Sequence, residues 1–138
     1  MNHTPDHWYA FRNALYEKEF ASAEKLLQET PALLNLANTI GETALHFLAV
    51  ENDIDGVSWL KARGADLNSK NNFGTPVIFE VAQLEYKELF AWFVANAADI
   101  HATDSDGNDI VSYLLEYEHA EMAKWVQQFI KAETGKAT

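Results

Sequence analysis

The chain has 138 residues, with 21 acidic side chains against 10 Lys and Arg, a formal net charge of −11 and no cysteine. Apolar residues make up 48 % of it, which is enough for a compact core. The missing cysteine excludes disulfides, thiol nucleophiles and cysteine zinc sites, and the acidic charge disfavours nucleic acid as a partner. No apolar run reaches the roughly 18 residues of a membrane span.

The N-terminal residues show neither the basic region nor the apolar region of a secretory signal. Together with the absence of cysteine, this predicts a cytoplasmic protein with no membrane partner.

A period of about 33 residues organises the chain. Three glycines, Gly41, Gly74 and Gly107, follow one another at this spacing. Other columns with the same spacing are Asn38, Asn71 and Asp104; Asn35, Asn68 and His101; Leu15, Leu48, Val81 and Leu114; Leu27, Leu60, Phe93 and Val126; Leu34, Leu67 and Ile100; and Leu26, Trp59, Trp92 and Trp125. Such recurrence indicates repeated structural units.

The first unit, residues 8–37, predicts two helices followed by Pro31-Ala-Leu-Leu-Asn35. The second, residues 38–70, is clearer. Thr43 is placed to cap a helix whose apolar residues, Leu45, Leu48 and Ala49, share one face. A second helix follows over 55–63, and Gly64 suits its C-terminal cap. Because helices of about ten residues are marginal alone, neighbouring units must stack to stabilise them.

Residues 38–70 carry a specific resemblance. The stretch Gly41-Glu-Thr-Ala-Leu-His46, followed by Gly64-Ala-Asp-Leu-Asn68, resembles the ankyrin repeat, whose pattern is G-x-T-P-L-H, two helices and then G-A-D-V-N. The resemblance implies an all-α ankyrin-repeat solenoid of stacked helix-turn-helix units. It also implies β-hairpin-like finger loops near residues 36–43, 69–76 and 102–109.

The third unit, residues 71–103, keeps the period but has Pro76 in the column of Thr43. Dropping one residue would align Thr75 and Pro76 with the family signature. We prefer the strict period because it keeps Ile78, Val81 and Ala82 on one apolar face.

The fourth unit spans residues 104–132, so the resemblance covers about 8–132 in four units. We expect a single domain over 1–138 with ragged ends at 1–7 and 133–138. The looser terminal units are typical of solenoid caps, which expose one face to water.

Several conspicuous residues have structural interpretations. We expect the tryptophan column to pack along the second helices, with Trp59 or Trp92 filling the space that Gly56 leaves. His46 resembles the family histidine that orients its loop by hydrogen bonding, so we assign it no catalytic or metal-binding role. The stretch 104–109 is similar to a calcium loop, but its glycine comes fourth and no Glu stands twelfth, which favours a finger turn.

Enzyme motifs such as G-x-S-x-G, the P-loop, G-x-G-x-x-G and H-E-x-x-H are absent from the sequence. We therefore expect a non-enzymatic protein with no cofactor and no bound metal.

The resemblance implies that a partner protein docks on the fingers and the first helices, along a concave face. The inner-helix end of the first unit would be Glu17 and Lys18. In the other units, the predicted partner-binding residues are Ile40, Glu42, Val50, Glu51, Phe73, Thr75, Gln83, Leu84, Asp106, Asn108, Glu116 and Tyr117. Exposed apolar side chains rimmed by acids suit a protein interface.

The acids gather where each first helix ends: Glu17, Glu19, Glu51, Asp53, Glu85, Glu116 and Glu118. Stacked in successive units, they would form an acidic stripe that speeds encounter with a basic partner. Solubility alone is the competing explanation.

Together these features predict a protein-interaction module, monomeric when free. Its favoured role is that of an immunity or inhibitor protein that neutralises a basic toxin or enzyme, because the chain is little more than the repeat stack. The alternative is a general adaptor or scaffold subunit of a larger complex.

Overall fold

The computed structural model describes residues 5–135, in which eight α-helices and one 3-10 helix account for the regular structure. The α-helices are α1 (Asp6–Tyr16), α2 (Phe20–Glu29), α3 (Ala44–Val50), α4 (Ile54–Ala62), α5 (Val77–Gln83), α6 (Lys87–Ala95), α7 (Ile110–Glu116) and α8 (Ala120–Gly135). The 3-10 helix, Pro31–Asn35, lies between α2 and α3.

The helices form four pairs in chain order, α1 with α2, α3 with α4, α5 with α6 and α7 with α8. The first helices of successive pairs also pack on one another, α1 on α3, α3 on α5 and α5 on α7. One continuous core of buried side chains runs through all four pairs. The predicted all-α stack of helix-turn-helix units is therefore confirmed.

Helix starts agree with the strict period. Helices α3, α5 and α7 begin directly after Thr43, Pro76 and Asp109, which are one period apart. Thr43 and Asp109 cap their helices, since their side chains accept the backbone N–H of the residue three positions on. Pro76 occupies the same place without a side-chain cap, so the alignment that drops one residue is not needed.

The first helix pair departs from that period, which corrects one of our columns. The left-handed residues that end the first helices are Lys18, Asn52, Glu85 and Glu118. The last three are one period apart, but Lys18 precedes Asn52 by a period and one further residue. Helix α2 has 10 residues and α4 has 9, which shifts α1 by one position. The structural counterpart of Leu48 is thus Ala14, and not Leu15.

The three finger loops share one turn. In each, an Asn or Asp side-chain oxygen accepts the backbone N–H groups two and four residues on, at 2.9–3.1 Å. The residues that do so are Asn38, Asn71 and Asp104. Because Asp104 is committed to backbone donors like its two counterparts, the stretch 104–109 is a finger turn, as predicted, rather than a calcium loop.

Neighbouring fingers touch through their glycines. Gly74 has φ +78°, and a Cβ there would lie 2.8 Å from the Cβ of Ser105, so glycine is required on two counts. Gly107 has the same backbone conformation (φ +82°), but a Cβ there would meet nothing within 4 Å, because no further finger follows it within the described residues.

Asparagine side chains tie successive units together. The Oδ1 atom of Asn35 accepts the backbone N–H of Asp66 at 3.0 Å, and that of Asn68 accepts the N–H of Asp99 at 2.8 Å. These ties explain the polar column seen in the sequence, because each one joins a unit to the next.

The tryptophan column lies along the second helices as predicted, and its three tryptophans are partly buried against the core. The guanidinium of Arg63 stacks over Trp59 at 3.7 Å from the ring centroid. The expectation for Gly56 was wrong, however. A Cβ at Gly56 would lie 2.9 Å from both Leu48 and the carboxylate of Asp53, so these two residues, and no tryptophan, occupy that space.

The two ends of the chain are more regular than the expected ragged segments 1–7 and 133–138. Helix α1 begins at Asp6 and α8 continues to Gly135. The remainder of those segments, 1–4 and 136–138, lies outside the described residues. Within 5–135, none of the helices is both long and apolar enough to cross a membrane.

Candidate protein-binding surface

We use the term inner surface for the side chains that the fingers and the first helices α3, α5 and α7 leave in contact with solvent. All twelve predicted partner-binding residues are exposed or half-buried, and none belongs to the core. Their side chains are therefore accessible, although accessibility alone does not assign them to an interface.

The fingers present Ile40, Glu42, Phe73, Thr75, Asp106 and Asn108. Phe73 is 70 % exposed and Ile40 is 47 % exposed, so both apolar side chains project into water. Their backbones are nevertheless fixed, because the carbonyl of Ile40 accepts the N–H of Asn72 and that of Phe73 accepts the hydroxyl of Ser105, each at 3.0 Å. A backbone that is already ordered before binding lowers the entropy cost of binding.

The first helices present Val50, Glu51, Gln83, Leu84, Glu116 and Tyr117. A shallow groove of about 360 Å³ brings Val50, Gln83 and Leu84 together with Glu80 and His119. Across α7, the hydroxyl of Tyr113 donates to Gln83 Oε1 at 2.6 Å, and the ring of Tyr117 lies 4.8 Å from that of Tyr113. Glu116 accepts the side-chain amide of Asn108 at 2.7 Å, which links α7 to its finger.

Glu80 is the residue of this surface that the sequence analysis missed. Its Oε1 accepts the side-chain amide of Asn71 at 3.3 Å, whereas Oε2 is buried and has no hydrogen-bond partner among the described residues. Burial, followed by the nearby carboxylate of Glu42, raises the pKa of Glu80 to about 7. A signal in the sequence could have pointed to it. Glu80 stands one repeat spacing after Phe47 and one before Tyr113, so it is an acid in a column of aromatic residues.

The pKa of Tyr113 is shifted by the same burial and negative charge. Burial raises the pKa of Tyr113 to about 12, and the negative charge of Glu80 is the next largest cause. Tyr117, Asp104 and Glu116 add to this rise. The surface between α5 and α7 is therefore negative and partly dehydrated.

Residues 40–72 match the family model of the ankyrin repeat. This segment is therefore similar to an ankyrin repeat. It covers the second half of the first finger, α3, α4 and the start of the second finger, which is the part of the chain where the resemblance was strongest. No curated protein matches the chain. Ankyrin repeats are protein–protein interaction modules, so the match supports a binding function of that general kind.

Within the matched segment 40–72, His46 stabilises the start of α3. The ring Nδ1 accepts the backbone N–H of Thr43 at 3.2 Å, while the hydroxyl of Thr43 accepts the N–H of His46 at 3.4 Å. His46 is fully buried, and this burial lowers its pKa to about 4. A neutral, enclosed ring used for capping agrees with the structural role that we expected.

Phe47, the next residue of the matched segment, has a cation over its ring. The guanidinium of Arg12 lies 4.3 Å from the centroid of its ring, and Tyr16 of α1 packs edge-on against it at 5.6 Å. The corrected register places Tyr16 and Glu17, instead of Glu17 and Lys18, opposite Val50 and Glu51. The end of α1 thus presents an aromatic residue and an acid, where we had expected an acid and a lysine.

The predicted acidic stripe is interrupted at the start of α4, where Lys18 pairs with two carboxylates. Asp53 caps α4 by accepting the N–H of Gly56 at 3.0 Å. The ammonium of Lys18 lies 3.2 Å from Asp55 and 3.5 Å from Asp53, and these carboxylates raise its pKa, with the hydrogen bond to Asp55 as the largest cause. Glu85, Glu116 and Glu118, the members of the predicted stripe near α5 and α7, form no such ion pair within residues 5–135. Residues 5–135 contain no group of three acidic or histidine side chains arranged to hold a metal ion.

Proposed function

We propose that this protein binds a basic partner protein through its inner surface, the predicted concave face. One observation carries the proposal. Exposed apolar side chains on that surface, among them Ile40, Phe73, Leu84 and Tyr117, lie on units that also present acidic residues, in a chain of net charge −11. An apolar patch with an acidic surround is the pattern expected of an interface for a basic protein.

The two kinds of side chain have different tasks in this proposal. Burial of large apolar groups such as Phe73 supplies affinity, because aromatic residues are frequent hot spots of interfaces. The acids, including Glu51 and Glu116, steer a positively charged partner and speed its association, an effect that salt screens. The surface between the apolar and the acidic side chains is formed by half-buried residues, Val50, Gln83, Thr75 and Asn108.

We further propose that all four helix pairs are repeats of the ankyrin kind, in units of about 8–37, 38–70, 71–103 and 104–132. The shared finger turns and the recurring helix starts support this assignment, although the family match covers one unit.

The favoured specific role is that of an inhibitor or immunity protein that covers a basic toxin or enzyme. The negative surface around α5 and α7 supports it.

The experiment begins with affinity capture of a partner from cells of the source organism, followed by purification of that partner. Binding of the purified pair is then measured by calorimetry at about 50 and 300 mM salt, conditions that differ in Debye length. The test variant combines Glu51→Gln, Phe73→Ala and Glu116→Gln. The control combines Glu29→Gln, Glu88→Gln and Val94→Ala, which change two exposed acids and one half-buried apolar side chain of the second helices, outside the predicted interface.

We expect the test variant to lose at least about 100-fold in affinity, since loss of one interface aromatic alone commonly costs ~2 kcal/mol, and the control to bind normally. Affinity that ignores both salt and the test variant would exclude the inner surface as the interface. Co-expression then addresses the role. Protection of cells from the partner's toxicity, or loss of the partner's enzymatic activity in the complex, supports an inhibitor, whereas full partner activity in the complex favours an adaptor.

A further inference from the structure

The groove at Glu80 differs from the rest of the inner surface because it has both an apolar wall and an acidic base. Val50, from the end of α3, and Leu84, which follows α5, line it with aliphatic carbon. Glu80 and Gln83, one helical turn apart on α5, contribute a carboxylate and an amide. The fifth lining residue, His119, lies between α7 and α8.

The acceptor atoms of two lining residues, Glu80 and Gln83, are not saturated. Glu80 receives one hydrogen bond, from Asn71, and its Oε2 has no partner within the described residues. Gln83 Oε1 accepts the hydroxyl of Tyr113 and retains a second lone pair. A buried carboxylate oxygen without a partner is costly, and this cost is relieved when a donor arrives.

The charges that face the groove are almost all negative or neutral. Glu42 of the first finger acts on Glu80 directly, and Tyr113 of α7 adjoins it. Farther out, Asp104, Glu116 and Tyr117 surround Tyr113. Among residues 5–135, α6 and α8 contribute nothing to the lining, and no Lys or Arg forms an ion pair with Glu80. His119 is the one lining residue of the basic class.

We propose that this groove receives a lysine or arginine side chain of the partner, with the methylene stem against Val50 and Leu84 and the charged head at Glu80 and Gln83. This inference rests on the proposed function and specifies its site. Lysine and arginine are amphipathic, and an apolar wall that leads to a carboxylate matches both of their parts. A neutral apolar side chain would leave the buried oxygen of Glu80 without a donor.

The arrangement couples binding to the protonation of Glu80. The cation binds the ionised carboxylate, so it must lower the pKa of Glu80 from its raised value of about 7. Binding at neutral pH therefore releases protons, and affinity increases with pH through the range in which Glu80 ionises. Acids that ionise at lower pH would give no such dependence above pH 6.

The test uses n-butylguanidinium as a probe for the basic side chain and n-butylurea as its neutral isostere. Each is titrated into the full-length protein at pH 8 and pH 5.5, while NMR follows the methyl groups of Val50 and Leu84 and the Glu80 carboxyl carbon. We expect saturable shifts at these three sites with n-butylguanidinium and none with n-butylurea. Affinity should be at least about tenfold lower at pH 5.5, because Glu80 is then almost fully protonated.

The Glu80→Gln variant should lose these shifts, and Glu88→Gln, which removes one exposed carboxylate of α6, should keep them. A well-dispersed NMR spectrum of each variant verifies that it is folded. Shifts that persist in Glu80→Gln, that occur equally with n-butylurea, or that are spread evenly over the acids of the chain would overturn the assignment. The proposed function would then still stand or fall by the salt dependence and the inner-surface variants measured with the protein partner.

Discussion

Helices α3 and α5 occupy equivalent places in successive helix pairs, yet they present different chemistry to a partner. Both have seven residues, and their apolar sides correspond, with Leu45, Leu48 and Ala49 in α3 matched by Ile78, Val81 and Ala82 in α5. Helix α3 starts with the Thr43 and His46 cap, whereas α5 follows Pro76 and has no side-chain cap.

The exposed column makes the larger difference. Phe47 of α3 is covered by Arg12, a cation from the same chain, while Glu80 of α5 has no cation beside it in the part of the chain that the structure describes. Packing in the repeat stack thus restricts the buried positions to apolar residues, whereas the less buried column of Phe47 and Glu80 is free to vary. The ring of Phe47 already has a cation beside it, whereas the carboxylate of Glu80 has none within residues 5–135, and a partner protein can supply one.

Replacement of His46 should have the largest effect. His46→Ala removes a fully buried ring and the cap of α3, and we expect a loss of about 2–4 kcal/mol in the free energy of unfolding at pH 7. The pKa of His46 is lowered to about 4 in the folded protein, so the unfolded chain binds a proton there first as pH falls below 6.5. The wild-type ring therefore stabilises less at pH 5, and the cost of the substitution should shrink.

Urea denaturation at pH 7 and pH 5 measures this change. Phe79→Ala is the matched control in α5, since it also removes a buried ring but no titrating group, and its cost should be independent of pH. A His46→Ala cost that is the same at both pH values would show that His46 does not resist protonation in the folded state.

Replacement of Glu80 should act in the opposite direction. Its pKa is raised to about 7, so an ionised Glu80 destabilises the folded protein above that pH, while at pH 4 both states are largely protonated and the penalty fades. Because Glu80 is only half-buried, solvent screens this penalty, and we expect Glu80→Gln to stabilise by about 1–2 kcal/mol at pH 8. The gain should be smaller at pH 5.

Denaturant titrations of Glu80→Gln and of the control Glu88→Gln at pH 8 and pH 5 test this expectation. Both variants remove one negative charge from the same chain, so a stabilisation shared equally by the two would reflect net charge. In that case the special environment of Glu80, and with it the contrast between α5 and α3, would be refuted.

Removal of Arg12 should have the smallest effect. Arg12→Ala uncovers Phe47, and a cation near an aromatic ring at an exposed site is worth about 0.5–1 kcal/mol. Unfolding by urea should show a loss of this size, with Lys25→Ala, an exposed cation of α2, close to wild type. Equal losses in both variants would mean that Arg12 contributes only its charge and does not cover Phe47 in solution.

Much of the fold followed from the sequence because it depends on local rules. The finger turns were predictable from Asn38, Asn71 and Asp104, whose short side chains satisfy the backbone two and four residues on. The strict period at Pro76 was predictable because it kept the apolar face of α5 intact. Such features involve residues close in the chain, and each recurs in several units.

The errors concern contacts between units or small differences in length. The extra residue in the first pair was invisible because Leu15 and Leu48 fit the period equally well as apolar residues. The space beside Gly56 is taken by Leu48 and Asp53, whose positions depend on how α3 packs against α4. Glu80 was missed because its neighbours Glu42, Asn71 and Tyr113 come from two fingers and another helix.

The sequence by itself determined the repeat, the helix pairs, the finger turns and the exposed positions that vary from unit to unit. These depend on hydrophobic periodicity and on side-chain to backbone hydrogen bonds, which act over a few residues. Only the tertiary structure decided which acid is dehydrated and which cation covers which ring. Burial and electrostatic coupling depend on groups that stacking brings together from different units of the chain.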